Sequence, residues 1–269
     1  MEYNNYRIFH VHTWRCRHAG EEQDKEYIEK AIELGADEIY FTDHCPFPEN
    51  PFRYRMSMDE LPEYVSTLQK LKHQYAGQID IKIGLETEYI PIYDDHYKKL
   101  YDSGNFDTFV LGQHFSLLPN GCYTFESKEK ISEPKDLANG MMQGMESGLF
   151  SVVAHPDQIF RRKKIWDEEC KAISREIIDC AARTGVILEQ NISNLLGKKK
   201  KRTYWPEFWK ELPQGVRTMY GVDAHSVAEL ETNYLKQQEL IDNDIRRIGE
   251  ELIQKNIVAL RALAEWESE

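Results

Sequence analysis

The amino-acid sequence predicts an α/β fold in which seven parallel strands form a barrel surrounded by helices. Short apolar runs alternate with amphipathic stretches, seven such runs follow one another, and each is followed by polar residues. This alternation is typical of parallel strands joined by right-handed helical crossovers. Seven repeated units favour a barrel, with an open doubly wound sheet as the alternative.

The predicted strands are rich in Ile, Val, Phe and Tyr, as buried or half-buried strands usually are. They are Arg7–His12, Glu38–Thr42, Ile79–Leu85, Thr108–Gly112, Ser151–Ala154, Val186–Glu189 and Thr218–Val222. Neither a linker nor an internal repeat separates them, so we expect a single domain over residues 1–269.

Two helices are predicted between the first three strands. Glu22–Leu34 carries an apolar stripe and stops at Gly35, a typical C-terminal glycine. Ser57 and Glu60 have the spacing of a capping box, which begins the second helix.

Helical patterns also follow the later strands. Pro134 suits the first turn of a helix that runs to about residue 146. Asp167–Arg183 places apolar residues four apart. Ser226 and Glu229 form a second possible capping box, and the chain beyond them is helical in pattern to Trp266, where we expect more than one helix.

Composition indicates a globular protein of the cytoplasm. Hydrophobic residues make up 41% and charged residues 30%, and no apolar run is long enough to cross a bilayer. The five cysteines form no CxxC pair, and the first residues lack a signal-peptide pattern, which favours a reducing compartment. The net charge of −12 opposes binding of nucleic acid, which basic surfaces normally bind.

Seven of the nine histidines lie at or just past the end of a predicted strand. They are His10, His12, His18, His44, His114, His155 and His225. The other two, His73 and His96, fall in polar helical stretches and are expected to lie outside any site. Because the carboxyl ends of barrel strands converge on one face, the seven are expected to form a cluster there.

Two carboxylates join this set. His10 and His12 are separated by one residue, so on a strand both side chains point to the same side. Asp223 and His225 repeat that spacing, and Glu86 ends the third strand. Imidazole and carboxylate are the usual ligands of zinc and similar ions, and nine ligands exceed the needs of one tetrahedral ion. We therefore predict two or three divalent ions, with zinc, iron and manganese all compatible.

Five neighbouring residues have less certain roles. Asp43, Glu88 and Asp157 suit either the orientation of metal ligands or simple caps and surface charges. Cys16 and Cys45 stand beside the ligand motifs, but the histidine set is complete without them, which favours small buried side chains.

These motifs resemble the PHP (polymerase and histidinol phosphatase) superfamily. The matching elements, in order, are His10-Val11-His12 with His18, Thr42-Asp43-His44, Gly84-Leu85-Glu86, His114, His155-Pro156-Asp157 and Asp223-Ala224-His225. The resemblance implies the PHP fold, a distorted (β/α)7 TIM-like barrel. Within the superfamily, residues 43–48, 55–64 and 84–89 are similar to stand-alone histidinol-phosphate phosphatases. The family often has His-Thr-His-Thr where this chain has His10-Val11-His12-Thr13.

The resemblance also implies how the ligands would divide among the ions. The first ion would be held by His10, His12, Glu86 and Asp223. The second would share Glu86 and be completed by His114 and His155. The third would be held by His18, His44 and His225. Catalysis is assigned to Glu86, Asp223 and His225.

The activity that the resemblance implies is hydrolysis of L-histidinol phosphate, a small phosphorylated substrate of histidine biosynthesis, by a hydroxide that bridges the metal ions. Two alternatives remain open. One is a PHP phosphoesterase acting on nucleotides or oligonucleotide ends. The other is a non-catalytic metal-binding PHP module, against which the full ligand set speaks.

Arginine is well suited to bind the substrate phosphate, because its planar guanidinium gives two parallel hydrogen bonds. Six arginines lie on loops past strand ends: Arg17, Arg53, Arg55, Arg161, Arg162 and Arg202. The resemblance favours one after the fifth strand and one after the sixth, so we select Arg161 and Arg202.

Overall fold

The computed structural model describes residues 6–126, 133–197, 203–213 and 215–266. Seven parallel strands follow one another around a single sheet in chain order. They are β1 (Arg7–Val11), β2 (Glu38–Phe41), β3 (Asp80–Thr87), β4 (Thr108–Leu111), β5 (Val152–Val153), β6 (Ile187–Asn191) and β7 (Thr218–Gly221). All seven predicted strands are confirmed, with bounds that differ by at most two residues at either end.

The first and last strands meet, which excludes the open doubly wound sheet. The backbone N–H of Val222 donates to the carbonyl oxygen of Phe9 at 2.8 Å, and that of His12 donates to Ala224 at 2.9 Å. An open sheet has no such contact between its outermost strands. The chain therefore has the predicted distorted (β/α)7 TIM-like barrel.

Strand β1 is irregular at the residue that begins the histidine motif. Ile8 pairs with Ile39 and Val11 with Phe41, so one extra residue bulges out of β1 between them. His10 lies in this bulge with φ of 72°. The prediction that His10 and His12 face the same side is met, with their rings 4.9 Å apart, but through a bulge and not through regular strand alternation.

Eight helices are described. They are α1 (Asp24–Glu33), α2 (Leu61–Gln74), α3 (Asp94–Asp102), α4 (Glu133–Glu146), α5 (Glu168–Thr184), α6 (Ile192–Leu195), α7 (Pro206–Lys210) and α8 (Val227–Trp266). The predicted capping box at Ser57 and Glu60 is present, and it caps a short 3-10 turn that leads into α2.

The last helix differs from the sequence-based expectation. Helix α8 runs without interruption for 40 residues, where more than one helix was predicted. The stretch contains no proline, and Gly249 lowers helix propensity without removing a backbone donor, so nothing breaks the hydrogen-bond ladder. At its start, the N–H of Glu229 donates to Oγ of Ser226, as half of the expected capping box.

Apolar residues pack on both sides of the strands. The outer core lies between the sheet and helices such as α1 and α5, which contribute Tyr27, Ile28, Ile173 and Ile177. A smaller cluster contains residues from several strands that contact one another across the barrel: Phe9, Tyr40, Val110, Val152, Ala154, Ile187 and Met219. In the part of the chain described here, no helix is long and apolar enough to span a membrane.

Candidate metal centre

The seven predicted histidines, Glu86 and Asp223 meet at the carboxyl ends of the strands. Within this cluster His10, His12, Glu86, His155 and Asp223 are buried. His18 is the exposed member, while His114 and His225 are partly exposed. The cluster therefore has a closed inner end and an open outer end. The outer end borders a cavity of about 410 Å³.

Glu86 lies at the middle of the cluster, and its two oxygens face different histidines. Oε2 lies 3.4 Å from His10 Nε2, 3.3 Å from His12 Nε2 and 3.1 Å from His44 Nδ1. Oε1 lies 2.9 Å from His155 Nε2 and 3.5 Å from His114 Nε2. This geometry is suited to a carboxylate shared by two ions.

Asp223 completes the inner part of the cluster. Its Oδ1 atom lies 3.9 Å from His10 Nε2 and 3.6 Å from His12 Nε2. One ligand atom from each of these three residues can be chosen so that all lie within 4.8 Å of one another. The first predicted ligand set is thus brought together.

A second group of imidazoles lies toward the outer end. His18, His44 and His225 also offer ligand atoms within 4.8 Å of one another. The His18 and His225 ring centres are 4.6 Å apart, and those of His18 and His44 are 5.4 Å apart. These are the three residues predicted to hold a third ion.

Several buried imidazole nitrogens have no aligned hydrogen bond in the described part of the chain. They include Nε2 of His10, Nε2 of His12 and Nε2 of His225. A buried polar atom without a partner is unfavourable, and a cation among these nitrogens and the carboxylates would satisfy it. The donor set fits divalent ions of the zinc type.

The protonation states of three histidines suit metal binding directly, whereas His10 differs: burial by itself lowers its pKa, but Glu189, Glu86 and Asp223 hold it well above its usual value, so a metal ion bound there would displace a proton. Burial lowers the pKa of His44 to about 4 and lowers the pKa of His12 and of His18, so these imidazoles stay neutral near pH 7. Burial by itself raises the pKa of Glu86, but His114 and His10 hold it well below its usual range. Neutral imidazole and ionised carboxylate are the forms that bind metal.

Glu88 orients one member of the cluster. Its Oε1 atom accepts from His114 Nδ1 at 3.0 Å, while Arg55 donates to both of its oxygens at 3.0 and 3.1 Å. This contact leaves His114 Nε2 facing Glu86. Of the two alternatives raised for Glu88, the contacts favour orientation of a ligand.

Asp43 and Asp157 are buried, and each accepts hydrogen bonds from a residue outside the strands. Asp43 accepts from the backbone N–H and the hydroxyl of Thr13, next to His12, at 2.8 and 2.6 Å. Asp157 accepts from the backbone N–H of Trp205 at 2.7 Å. Burial raises the pKa of each aspartate to about 7. Neither is a surface charge.

Glu189 and Asn191 are two buried residues of the site that the sequence analysis missed. Glu189 was identified only as the end of the sixth strand, yet its Oε1 atom lies 2.6 Å from His10 Nδ1. Asn191 Nδ2 donates to Asp223 Oδ2 at 3.0 Å. The signal was available, because these polar residues end a strand at a spacing of two, as His10 and His12 do.

The two cysteines beside the motifs are buried, as predicted. The sulfur of Cys16 and one ring nitrogen each of His12 and His225 lie within 4.8 Å of one another, close enough for the three to contact one ion. Cys45 donates its thiol to the carbonyl oxygen of Pro46. Burial raises the pKa of both thiols to about 12, so both are neutral near pH 7.

Arg161 lies beside the site but is held by protein groups. Its Nη2 atom donates to the carbonyl oxygen of His114 at 2.9 Å and to Glu133 at 2.7 Å. Arg202, the other predicted phosphate-binding residue, lies outside the described residues. Two arginines that were not selected, Arg53 and Arg55, line the cavity at the open end of the cluster.

His73 and His96 both lie outside the cluster, as expected, but their surroundings differ. His73 is exposed on α2. His96 is buried on the inner face of α3, and its Nε2 lies 2.8 Å from the carbonyl oxygen of Pro46. The sequence of α3 is mostly polar, and only Tyr97 and Leu100 are buried on it besides His96. So short an apolar face does not indicate that the histidine beside it is buried as well.

A (β/α)7 barrel with histidines and carboxylates gathered at its carboxyl-terminal mouth defines a class of metal-binding barrel proteins. The family model for the PHP domain matches residues 9–193, which includes β1 to β6 and six of the seven clustered histidines. The chain belongs to the PHP domain family.

Curated proteins named histidinol-phosphatase are similar to this chain. A protein of Deinococcus radiodurans named "Probable histidinol-phosphatase" is 25% identical over 232 residues, which cover 82% of this chain and 86% of the relative. The histidinol-phosphatase of Bacillus subtilis is 32% identical over 114 residues, 39% of this chain and 42% of the relative.

Two solved structures share the fold. A candidate histidinol phosphatase HisK of Listeria monocytogenes aligns with a TM-score of 0.69 at 21% identity, covering 86% of this chain and 99% of that one. The histidinol phosphate phosphatase of Lactococcus lactis, in complex with zinc, L-histidinol and phosphate, aligns with a TM-score of 0.62 at 20% identity, covering 87% and 94%.

Proposed function

We propose that this chain is a metal-dependent phosphatase that hydrolyses L-histidinol phosphate to L-histidinol and phosphate. The observation that carries the proposal is the gathering of seven histidines and two carboxylates in one cluster, most of which lines a single cavity. The names of the curated relatives identify the substrate class. The zinc, L-histidinol and phosphate bound to the Lactococcus lactis protein are a metal and the two products of the proposed reaction.

The charge of the site requires cations before it can accept such a substrate. A phosphate monoester carries about two negative charges near neutral pH. The buried inner end already holds the carboxylates of Glu86, Asp223 and Glu189, within a chain of net charge −12. When bound, divalent ions would supply positive charge to the phosphate oxygens and lower the pKa of a water molecule.

The protein's own residues would set the direction of substrate entry. His10 and His12 are buried and do not line the cavity, whereas His18 is exposed and His225 is partly exposed at its mouth. A substrate phosphate would therefore enter past His18 and His225, with its organic part toward solvent. Water then adds to phosphorus, the P–O bond to histidinol breaks, and the alcohol leaves with a proton.

We further propose that Arg161 and Arg202 bind the phosphate. The guanidinium of Arg161 lies beside the cluster, where it donates to the backbone carbonyl of His114 and pairs with Glu133. Rotation of the guanidinium away from Glu133 would be needed for a direct contact with substrate. Arg53, which is exposed at the mouth of the cavity, is a further cation available to an incoming anion.

Phosphate release by the metal-loaded protein tests the proposed function. The substrates to compare are L-histidinol phosphate, nucleoside monophosphates and short 5′-phosphorylated oligonucleotides, each with metal-loaded wild type and with Glu86→Ala. We expect kcat/KM to be at least about a hundredfold higher for histidinol phosphate, which is about 2.7 kcal/mol of discrimination.

Three results would contradict the proposal. Faster release from nucleotides or oligonucleotides would favour the other PHP phosphoesterase activity. Equal release by wild type and Glu86→Ala would show that the measured activity does not come from this site. Stoichiometric metal binding without turnover of any substrate would favour a non-catalytic module.

A further inference from the structure

Three of the clustered residues have a backbone conformation that side chains rarely adopt. His10, His155 and Asp223 have φ angles of 72°, 34° and 46°. In this left-handed region the Cβ atom crowds the backbone, so a residue other than glycine needs compensating contacts to remain there. Each of the three stands where a strand ends and its side chain turns into the site.

Two residues of β6 contact all three. Glu189 Oε1 lies 2.6 Å from His10 Nδ1, and its Oε2 accepts from the backbone N–H of His155 at 3.1 Å. Asn191 Nδ2 donates to Glu189 Oε2 at 3.2 Å and to Asp223 Oδ2 at 3.0 Å. Both side chains are fully buried.

From these contacts we propose that Glu189 and Asn191 form a positioning pair, which holds His10, His155 and Asp223 in the geometry that binds metal. The pair touches none of the reacting atoms and acts through the three ligands. The inference rests on the metal site that the proposed function requires, but it does not depend on which substrate is hydrolysed.

The contact with His10 selects the imidazole tautomer. A carboxylate accepts hydrogen bonds, so when Nε2 of His10 binds a metal ion the ring carries its one proton on Nδ1, toward Glu189. Its Nε2 lone pair then faces Glu86 and Asp223, where Nε2 has no aligned hydrogen bond among the described residues. Carboxylates that orient a ligand histidine in this way typically change metal affinity about 10- to 100-fold when they are replaced.

Only a carboxylate satisfies the donors around residue 189. Its two oxygens accept from three N–H groups, on His10, His155 and Asn191. Glutamine has the same shape, but one of its ends is an NH2 donor and would face N–H groups. The neighbouring strand also makes room for the group, because a Cβ atom at Gly221 would overlap the carboxylate of Glu189.

The test measures zinc affinity in the absence of substrate, by competition with a chelating indicator, for wild type, Glu189→Gln, Asn191→Ala and the double variant. We expect Glu189→Gln to bind zinc about 10- to 100-fold more weakly. Asn191→Ala should show a smaller loss. Because the two residues act as one unit, the loss in the double variant should be smaller than the product of the single losses.

Asp107→Asn is the matched control. Asp107 directly precedes β4, and its carboxylate also holds a strand, because it accepts from the backbone N–H of Ile83 on β3 at 2.9 Å. Its zinc affinity should equal that of wild type. Zinc affinities of Glu189→Gln and Asn191→Ala within twofold of wild type would overturn the proposal. So would equal losses in Asp107→Asn. If Glu189→Gln does not fold, Asn191→Ala alone decides between these outcomes.

Failure of this inference is distinguishable from failure of the proposed function. Unchanged zinc affinity in the variants would remove the positioning role and leave the phosphatase proposal intact. Weaker zinc affinity in a protein that does not hydrolyse histidinol phosphate would support the positioning role and reject the substrate.

Discussion

A Cβ atom at Gly112 would overlap the Oε1 atom of Glu86, so the carboxylate at the middle of the cluster occupies space that only glycine leaves free. Gly112 directly follows β4, and Glu86 lies on the neighbouring strand β3. The bonded backbones of β3 and β4 cannot move apart without breaking their pairing.

Gly112→Ala is therefore expected to displace Glu86 and to lower both the metal content and the activity of the protein. The matched control is Gly144→Ala, whose Cβ would lie 2.7 Å from a methyl group of Leu111, away from the site. It should lower the melting temperature without changing the metal-to-protein ratio. Elemental analysis of both variants checks the prediction, and full metal occupancy in Gly112→Ala would contradict it.

Metal content is the second prediction. We expect more than one divalent ion per chain, because the ligand atoms of His10, His12 and Asp223 and those of His18, His44 and His225 form separate groups. Strong chelation should abolish activity, and zinc, iron or manganese should restore it. At most one tightly bound ion in fully active enzyme, measured by elemental analysis, would rule out a polynuclear site.

Glu86→Ala is expected to lower the metal content and to lower kcat/KM at least about a hundredfold, because both of its oxygens face histidines of the cluster. His73→Ala is the matched control, since His73 is exposed on α2 and should leave both quantities unchanged. The measurements are metal stoichiometry and steady-state kinetics. Equal damage in the two variants would mean that the site has been placed wrongly.

Arg161→Ala is expected to lower kcat/KM about ten- to a hundredfold with metal content unchanged, because a partly buried charge-assisted contact would be lost. The same expectation holds for Arg202→Ala. Arg175→Ala is the control, since its side chain lies on α5 and is 64% exposed. Kinetics like those of wild type in both test variants would leave phosphate binding to the metals or to Arg53.

A pH-dependent contribution to stability is expected from Asp167, which caps α5. The N–H of Cys170 and the ammonium of Lys163 lower its pKa from 3.8 to about 2. Because the folded protein favours the ionised form, this contribution is complete above about pH 4 and is lost as the pH falls toward 2. Asp167→Ala should lower the free energy of unfolding by about 1 kcal/mol at neutral pH.

Urea unfolding of the metal-free wild type and Asp167→Ala at several pH values tests this. The difference between the two proteins should shrink as the pH falls from 5 to 2. Lys171→Ala, which removes an exposed pair with Glu168 on the same helix, is the control and should show little difference at any pH. A difference for Asp167→Ala that does not change with pH would contradict the prediction.

Much of the fold and of the cluster could be predicted because both are encoded in local patterns. Apolar periodicity identifies each strand, and the polar residues that follow mark its carboxyl end. Parallel strands bring these ends together, so the clustering of the side chains from His10 to His225 could be predicted from the sequence. The same patterns could not show that His96 is buried, because a polar helix can still bury a histidine against a neighbouring loop.

The sequence by itself determined the order of the elements, the barrel class and which histidines and carboxylates cluster at its mouth. Only the tertiary structure decided how those ligands are held: the bulge at His10, the contacts of Glu189 and Asn191, and the pairing of Arg161 with Glu133. The physical reason is that sequence patterns report local structure, whereas these contacts join residues far apart in the chain. Periodicity reports which face of its own element a residue occupies, whereas Glu189 and His10 are 179 residues apart and meet only because β6 and β1 belong to one closed barrel.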